Sequence, residues 1–450
     1  AVEDRPAPAL TQRKPDAHEA RRMDTPAAGR AVQILERRLM TPRSPLRPWR
    51  PAGLILAGLL AACGGGGSGG DVIPPFRTQA GLVAADLNGD GLVDVAVAGA
   101  WIAGAPPHAG DVAVYLQALG GGFAAPQRYP VGPDPWGLSV GDLDGDGRPD
   151  LVAATPETRP TAAGEIGDSG GVSLLRQDPA HAGRFLASTW VPTGGMAEDA
   201  ALTDIDGDGH ADLVVADGVI VNGRALLLRQ DPAVPGRFGA PVVLPAGSGR
   251  GADDLTVADL NGDGLGDLVL AATTDVVVFL RLAGGGYGPA TVLAAGPNAK
   301  GVAAADLDGD GRADLVVANA GHDTGGASLG VLRQTTAGRY VRSTLPVANG
   351  ARRVAVGDLN GDGLADLAVV SIVYQDLDTP SRITVLLQSP TARGSFAVSE
   401  VLDGPYSGHF IAIADVDGDG RNDLLIDDGP SVMLQRADAP GRFRPVQPLR

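Results

Sequence analysis

An all-β fold, a seven-bladed β-propeller of four-stranded blades, is what the 450-residue chain predicts, and two regularities predict it. One is a nine-residue string, Asp-x-[Asp/Asn]-Gly-Asp-Gly-x-x-Asp, that recurs seven times, starting at Asp86, Asp142, Asp204, Asp259, Asp306, Asp358 and Asp415. The other is an aromatic residue that keeps step with it: Phe123, Phe185, Phe238, Tyr287, Tyr340, Phe396 and Phe443, with the next string 18 to 21 residues later. String starts lie 47 to 62 residues apart, and a period near that length marks a series of supersecondary units rather than unrelated domains. Apolar segments flank each string, as in Gly301-Val302-Ala303-Ala304-Ala305 before one and Leu315-Val316-Val317-Ala318 after it, with the length of short strands. A third strand such as Gly171-Val172-Ser173-Leu174-Leu175 and a fourth beginning near the aromatic, as at Phe238, complete four strands per repeat. Four strands per repeat is the composition of a propeller blade.

Each string reads as a loop joining the first two strands, and its chemistry is that of a hard cation. Ca²⁺ takes about 6 to 8 oxygen ligands, and side chains at positions one, three, five and nine converge when the chain coils tightly. The residues concerned are Asp86, Asn88, Asp90 and Asp94; Asp142, Asp144, Asp146 and Asp150; Asp204, Asp206, Asp208 and Asp212; Asp259, Asn261, Asp263 and Asp267. The last three loops supply Asp306, Asp308, Asp310 and Asp314; Asp358, Asn360, Asp362 and Asp366; Asp415, Asp417, Asp419 and Asp423. Glycine at positions four and six accepts the backbone angles of such a coil. An EF-hand opens in the same way but closes with a Glu at position 12 and lies between helices; here position 12 is apolar or small. A plain hairpin turn needs only two such residues, not four oxygen-bearing side chains at fixed places in seven copies. Up to seven structural Ca²⁺ ions are therefore expected. The formal charge of −17 agrees, because the loops carry 25 of the 53 acidic residues; the acidity reports metal binding rather than a cationic partner.

Ahead of the repeats, residues 1–39 are Pro-, Arg- and Ala-rich without apolar periodicity and predict a disordered or mis-assigned extension, with Met40 as the natural start. Residues 40–62 read as a signal peptide: Arg43, Arg47 and Arg50 are basic, and Pro51 to Ala62 holds a short apolar core. Leu60-Ala61-Ala62-Cys63 resembles a bacterial lipobox, which implies lipidation of Cys63, the sole cysteine. Residues 63–75, with Gly64-Gly65-Gly66-Gly67-Ser68, then form a flexible tether. The propeller is expected over residues 76–450, monomeric and anchored to the bacterial envelope at the outer membrane or cell surface.

The aromatic followed by Ala-Asp-Leu-Asn-Gly-Asp-Gly-Leu-x-Asp-Leu, as at Ala258 to Leu268, resembles the FG-GAP/VCBS repeats of integrin alpha-subunit propellers and of many bacterial secreted proteins. The resemblance covers roughly residues 76 to 450. It implies a calcium-stabilised propeller with the loops on one face, and no particular reaction.

The first strand of each repeat, in which large and small residues alternate, is expected innermost and buried on both faces. Its far end, six residues before the first Asp, carries Ala80, Trp136, Glu198, Asp253, Lys300, Arg352 and His409. A lectin with one pocket per blade would repeat its residues there; this dissimilar set predicts one asymmetric surface for a protein or polysaccharide ligand, with Trp136, Lys300, Arg352, Arg353 and His409 as candidate contacts. Longer connections near residues 101–108, 156–168, 322–323 and 374–378 would extend it. An alternative is a lyase-like, polysaccharide-active enzyme in which His409 or Lys300 abstracts a proton while Arg352 or Arg353 neutralises an acidic sugar. The scarcity of tryptophan, with Trp101, Trp136 and Trp190 alone in the repeats, favours binding. Gly167-Asp168-Ser169-Gly170-Gly171 matches the string around a serine-protease nucleophile without the rest of a triad. No zinc, dinucleotide or phosphate-loop pattern is present, and no basic stripe suits nucleic acid.

Overall fold

A computed structural model describes residues 81–449 apart from 100–109, 120–121, 157–169, 219–223, 246–250, 322–325, 337, 349, 373–378, 407 and 428. The extension, signal peptide, tether and Cys63 lie outside the described residues, as do Ala80, Trp101, Ser169 and most of the longer connections.

The strands form six sheets, each a run of consecutive segments. The first is β1 (Leu82–Ala85), β2 (Asp94–Gly99), β3 (Gly110–Tyr115) and β4 (Gln127–Val131); the second is β5 (Leu138–Gly141), β6 (Asp150–Thr155), β7 (Gly171–Leu175) and β8 (Thr189–Pro192). The third comprises β9 (Ala197–Thr203), β10 (Asp212–Asp217), β11 (Arg224–Leu228) and β12 (Val242–Pro245). The fourth has six strands: β13 (Ala252–Ala258), β14 (Asp267–Phe279), β15 (Thr291–Ala305), β16 (Asp314–Asn319), β17 (Ser328–Thr336) and β18 (Arg339–Pro346). The fifth is β19 (Ala351–Gly357), β20 (Asp366–Ser371), β21 (Arg382–Ser389) and β22 (Ala392–Asp403), and the sixth is β23 (Ile411–Ala414), β24 (Asp423–Ile426), β25 (Ser431–Met433) and β26 (Gln447–Pro448). All neighbouring strands within a sheet pair antiparallel.

This is an all-β propeller, but the expected seven blades are overturned by the strand pairing: counted as hydrogen-bonded sheets there are six blades, five of them four-stranded. The fourth and fifth repeats share the six-stranded sheet. The cause is length. Their loops start 47 residues apart, the shortest spacing in the chain, and little chain is left for connections. β14 therefore continues past a bend at Thr273 (φ +49°), and β15 runs on through Asn298 (φ +59°) into the next repeat, reaching 13 and 15 residues.

Burial is graded outward from the axis. The second strand of each repeat is buried on both faces, as in β6, β10, β16 and β20. The first strand, expected to be so buried, keeps partial exposure along β1, β5, β19 and β23, because it lines a channel. The outer strands β4, β12 and β18 face water. Facing sheets interdigitate: Ile205 and Val214 of the third pack with Leu255, Leu268, Leu270 and Phe279 of the fourth. Each such fully buried aliphatic or aromatic side chain contributes about 1.5–3 kcal/mol. Val93, Val95 and Val97 of the first sheet pack with Val416, Leu425 and Val432 of the last, and the Gln117 amide donates to the Val416 carbonyl at 2.6 Å. The ring closes by packing, since its first and last sheets are each built from consecutive strands.

Candidate functional site

The two ends of the innermost strands carry different chemistry. At the end where β1, β5, β9, β13, β15, β19 and β23 terminate lie the seven loops. In the loop at Asp306, the first carboxylate accepts N–H bonds from Gly309 (2.7 Å), Asp310 (3.1 Å) and Gly311 (2.8 Å), and Asp310 accepts one from Arg312 at 2.9 Å. Gly309 and Gly311 have φ of +77° and +85°, the left-handed conformation that lets the chain coil around that carboxylate. The last aspartate, Asp314, is buried and its two oxygens take the N–H groups of Leu307 (3.1 Å) and Gln334 (2.6 Å). The same pair of bonds holds Asp94, Asp150, Asp212, Asp267, Asp366 and Asp423. Burial, only partly offset by these bonds, pushes Asp94, Asp150, Asp314 and Asp366 up to about 6 and Asp423 up to about 8. Asp212 and Asp267 move in the same direction for the same reason.

Five loops bring three carboxylates within reach of one ion: Asp142, Asp144 and Asp146; Asp204, Asp206 and Asp212; Asp306, Asp308 and Asp314; Asp358, Asp362 and Asp366; Asp415, Asp417 and Asp423. A hard cation fits these residues. The donors are all oxygens, and one buried oxygen each of Asp144, Asp206 and Asp308 has no hydrogen-bond partner, a costly state for a carboxylate unless a cation meets it. The next repeat supplies the roof: a Cβ on Gly394 would lie 3.1 Å from the Asp308 Cβ. The loops at Asp86 and Asp259 do not gather three carboxylates. There Asn88 and Asn261 donate to Asp90 and Asp263 at 3.0 Å and accept from the same residues' N–H groups. Asn360 does the same toward Asp362. Asp150, Asp208, Asp310 and Asp419 stand outside the gathered sets, the last two paired with Arg312 and Arg421.

One residue per repeat escaped the motif reading: Gln117, Gln177, Gln230, Arg281, Gln334, Gln388 and Gln435, on or just after the third strand. Its N–H holds the last loop aspartate, and in several repeats its side chain crosses to the preceding repeat's loop. Gln177 donates to the Leu87 carbonyl at 2.8 Å, Gln230 to Leu143 at 3.0 Å, Gln334 to Leu260 at 2.9 Å and Arg281 to Asp204 at 3.0 Å. The signal was available, since this residue precedes the aromatic by six or eight positions every time and bridges to it in five repeats.

At the opposite end, four successive inner strands each carry a β-bulge at the same place. Asp217 and Ala216 oppose Ala197 and Asp199, leaving Glu198 as the extra residue. Asp253, Lys300 and Arg352 are skipped in the same way in β13, β15 and β19. A bulge re-aims its extra side chain out of the ladder, and here it sends four charged ones to the channel mouth. Lys300 Nζ meets Asp253 Oδ1 at 2.7 Å. The Arg352 guanidinium, on the fifth sheet, lies 5.7 Å from the ring centroid of Trp136 beside the second, a cation–π contact between non-adjacent sheets. Arg353 stacks at 4.6 Å on Phe410, donates to the carbonyls of Asp253 and Lys300 and pairs with Asp254 at 3.4 Å. Both arginines are buried, 6% and 8% exposed, rather than solvated. Burial and the Asp253 charge, against Arg352, Arg353 and Lys300, push Glu198 up to about 7. Of the candidate contacts, Trp136, Lys300, Arg352 and Arg353 thus gather at one mouth, while His409 is anchored there by its N–H on Asp427 at 2.7 Å. Asp199, Asp254 and Phe410, one position further along the strands, were not anticipated.

The sequence profile of the FG-GAP-like repeat matches residues 86–153, 162–215, 259–317 and 358–426, together more than half of the chain, and that of the FG-GAP repeat matches 135–175. The chain belongs to the FG-GAP repeat family. No curated protein matches it. Among solved structures, it is similar to an Agrocybe aegerita lectin described as recognising non-reducing terminal N-acetylglucosamine (20% identity, 77% of this chain and 82% of that one, TM-score 0.44). It is also similar to the exotype rhamnogalacturonan lyase YesX (14% identity, 87% and 75%, TM-score 0.44) and to a protein from Lactobacillus plantarum (13% identity, 78% and 95%, TM-score 0.49).

Proposed function

We propose that the protein is a calcium-stabilised binding module whose channel mouth engages a protein or polysaccharide ligand. The observation that carries this reading is the set of four aligned bulges, which place Glu198, Asp253, Lys300 and Arg352 at one opening. Bulges weaken pairing, and four at one level of a ring suit recognition better than stability. The carboxylates at positions one, three, five and nine of the loops would hold Ca²⁺, which supplies the positive charge their crowded oxygens need. The protein's own part is fixed without it: backbone N–H groups hold the first and last aspartates, and the Gln side chains tie most loops to a neighbouring repeat. Lipidation at Cys63 would display the ring on a bacterial envelope; loss of fatty-acid labelling in a Cys63→Ala variant is the expected result.

The lyase-like reading asks His409 or Lys300 to act as base and Arg352 or Arg353 to neutralise a sugar acid. Lys300 is held by Asp253, and Arg353 by Asp254, two carbonyls and Phe410, which favours binding without cleavage. The test incubates the calcium-loaded chain with immobilised acidic and neutral polysaccharides and with envelope or host-surface protein extracts. Retention that Arg352→Ala abolishes, without release of unsaturated or reducing ends, supports the proposal; cleavage products overturn it.

A further inference from the structure

Three of the seven loops carry asparagine followed by glycine at positions three and four: Asn88-Gly89, Asn261-Gly262 and Asn360-Gly361. An Asn-Gly pair is especially prone to spontaneous deamidation, because glycine has no Cβ to bar its nitrogen from the preceding side chain. In that reaction the glycine nitrogen gives its proton to water and bonds to the Asn Cγ, the Cγ–Nδ2 bond breaks, and ammonia leaves. Water then opens the resulting succinimide at either carbonyl, to aspartate or to isoaspartate. Water is the only co-reactant.

Water reaches all three pairs, since Gly89, Gly262 and Gly361 are exposed. What opposes the reaction is bonding, because each reacting group is already engaged. The nitrogen that must attack donates to the first aspartate of its own loop: Gly89 to Asp86 at 2.7 Å, Gly262 to Asp259 at 2.7 Å and Gly361 to Asp358 at 2.6 Å. A carboxylate at that distance disfavours the negative charge that the attacking nitrogen must develop. The carboxamide is held at both of its polar atoms. Its Oδ1 accepts the N–H of Asp90, Asp263 or Asp362 at 2.8, 2.9 and 2.9 Å, and its Nδ2 donates to the carboxylate of the same residue at 3.0, 3.0 and 3.1 Å. Any rotation of the side chain breaks those bonds.

We propose that Asn88, Asn261 and Asn360 are latent deamidation sites, shut by the hydrogen bonds of the folded loop and released wherever those bonds are lost. The inference rests neither on what the mouth binds nor on which cation the loops hold. Its two products differ in consequence. Aspartate gives the loop the third-position carboxylate that Asp144, Asp206, Asp308 and Asp417 already supply in theirs. Isoaspartate routes the main chain through the side chain and lengthens it by a methylene, which spoils the spacing on which the coil around the first aspartate depends. These three loops thus keep a covalent record of having opened, whereas the other four have no amide to lose at that position.

The test incubates the full, folded chain in mildly alkaline buffer with calcium, beside a synthetic peptide of residues 84–94 in the same buffer, and follows by peptide mass spectrometry the gain that accompanies replacement of NH2 by OH. Deamidation at Asn88, Asn261 and Asn360 is expected to be at least about tenfold slower in the chain than in the peptide, since it waits on local opening. In Asp259→Ala, which removes the acceptor of the Gly262 N–H, Asn261 is expected to approach the peptide rate while Asn88 and Asn360 stay slow. Should that variant fail to fold, Asp263→Ala removes the acceptor of the Asn261 amide instead, with the same expectation. Rates in the wild-type chain equal to that of the peptide overturn the proposal, and so does a folded variant in which Asn261 stays as slow as the other two.

Discussion

The two ends of the inner strands are built from the same seven segments and follow opposite rules. At the loop end, one pattern is repeated with little change, and its carboxylates are tied by backbone N–H groups. At the mouth end, four bulges at one level present Glu198, Asp253, Lys300 and Arg352, no two adjacent sheets offering the same residue. Repetition suits a job every repeat shares, and divergence suits the proposed single ligand, which would meet the ring once. Changes at the loop end should therefore register in stability and changes at the mouth in binding.

The largest effect is expected from removing metal. A chelator should lower the Tm by on the order of ten degrees, as the loss of several site-binding terms requires. The loss should be greater at about pH 8 than at about pH 5. In chelator the last loop aspartates have folded-state values above 3.8, about 6 for Asp94, Asp150, Asp314 and Asp366 and about 8 for Asp423. The metal-free fold thus retains protons that the unfolded chain gives up; its stability is full in acid and declines as pH rises through those values. Calorimetry at both pH values checks the pair of claims, and a Tm indifferent to chelator would abolish the contrast between the ends.

Next in size is Gln177→Leu, which leaves the Leu87 and Pro149 carbonyls without their donor and should cost about 1–3 kcal/mol in chemical denaturation. Within the loop end, Asn261→Asp should tighten one metal site and Asp308→Asn weaken another, each by roughly tenfold, following ligand charge count; titration calorimetry reads both. The smallest stability effect is predicted at the mouth. Lys300→Ala should change stability by less than about 1 kcal/mol, since its partner Asp253 is partly exposed, while still reducing retention of ligand. A mouth variant that lowers metal affinity as much as a loop variant would erase the distinction.

Much of this was legible in the residues alone. The loop ligands are adjacent in sequence, so their spacing carries their geometry, and the mouth residues fall at a constant offset from the loops. The blade count was not legible. Whether a strand ends or bends between repeats depends on how much connecting chain is left, and seven loops said nothing of the continuity of β14 and β15. The Gln residues that clamp the loops went unread because each acts on a neighbour in space, through the Leu87, Leu143 or Leu260 carbonyl, far away in sequence. Asp199 and Asp254 were hidden for the same reason: an aspartate one place past a bulge looks like any other until the ring brings two of them together.

The closure between the first and last sheets sets the order in which the ring can be completed. Gln117 meets Val416 across 299 positions of chain, so a ribosome must deliver all seven loops before that seam can form. Until then the face carrying Val93, Val95 and Val97 stands open to water, the kind of exposed apolar surface on which incomplete chains aggregate. Long-range closure is also slow, because the intervening chain must lose its freedom before the contact rewards it. The interval in which that face stands exposed is set by those 299 positions of intervening chain.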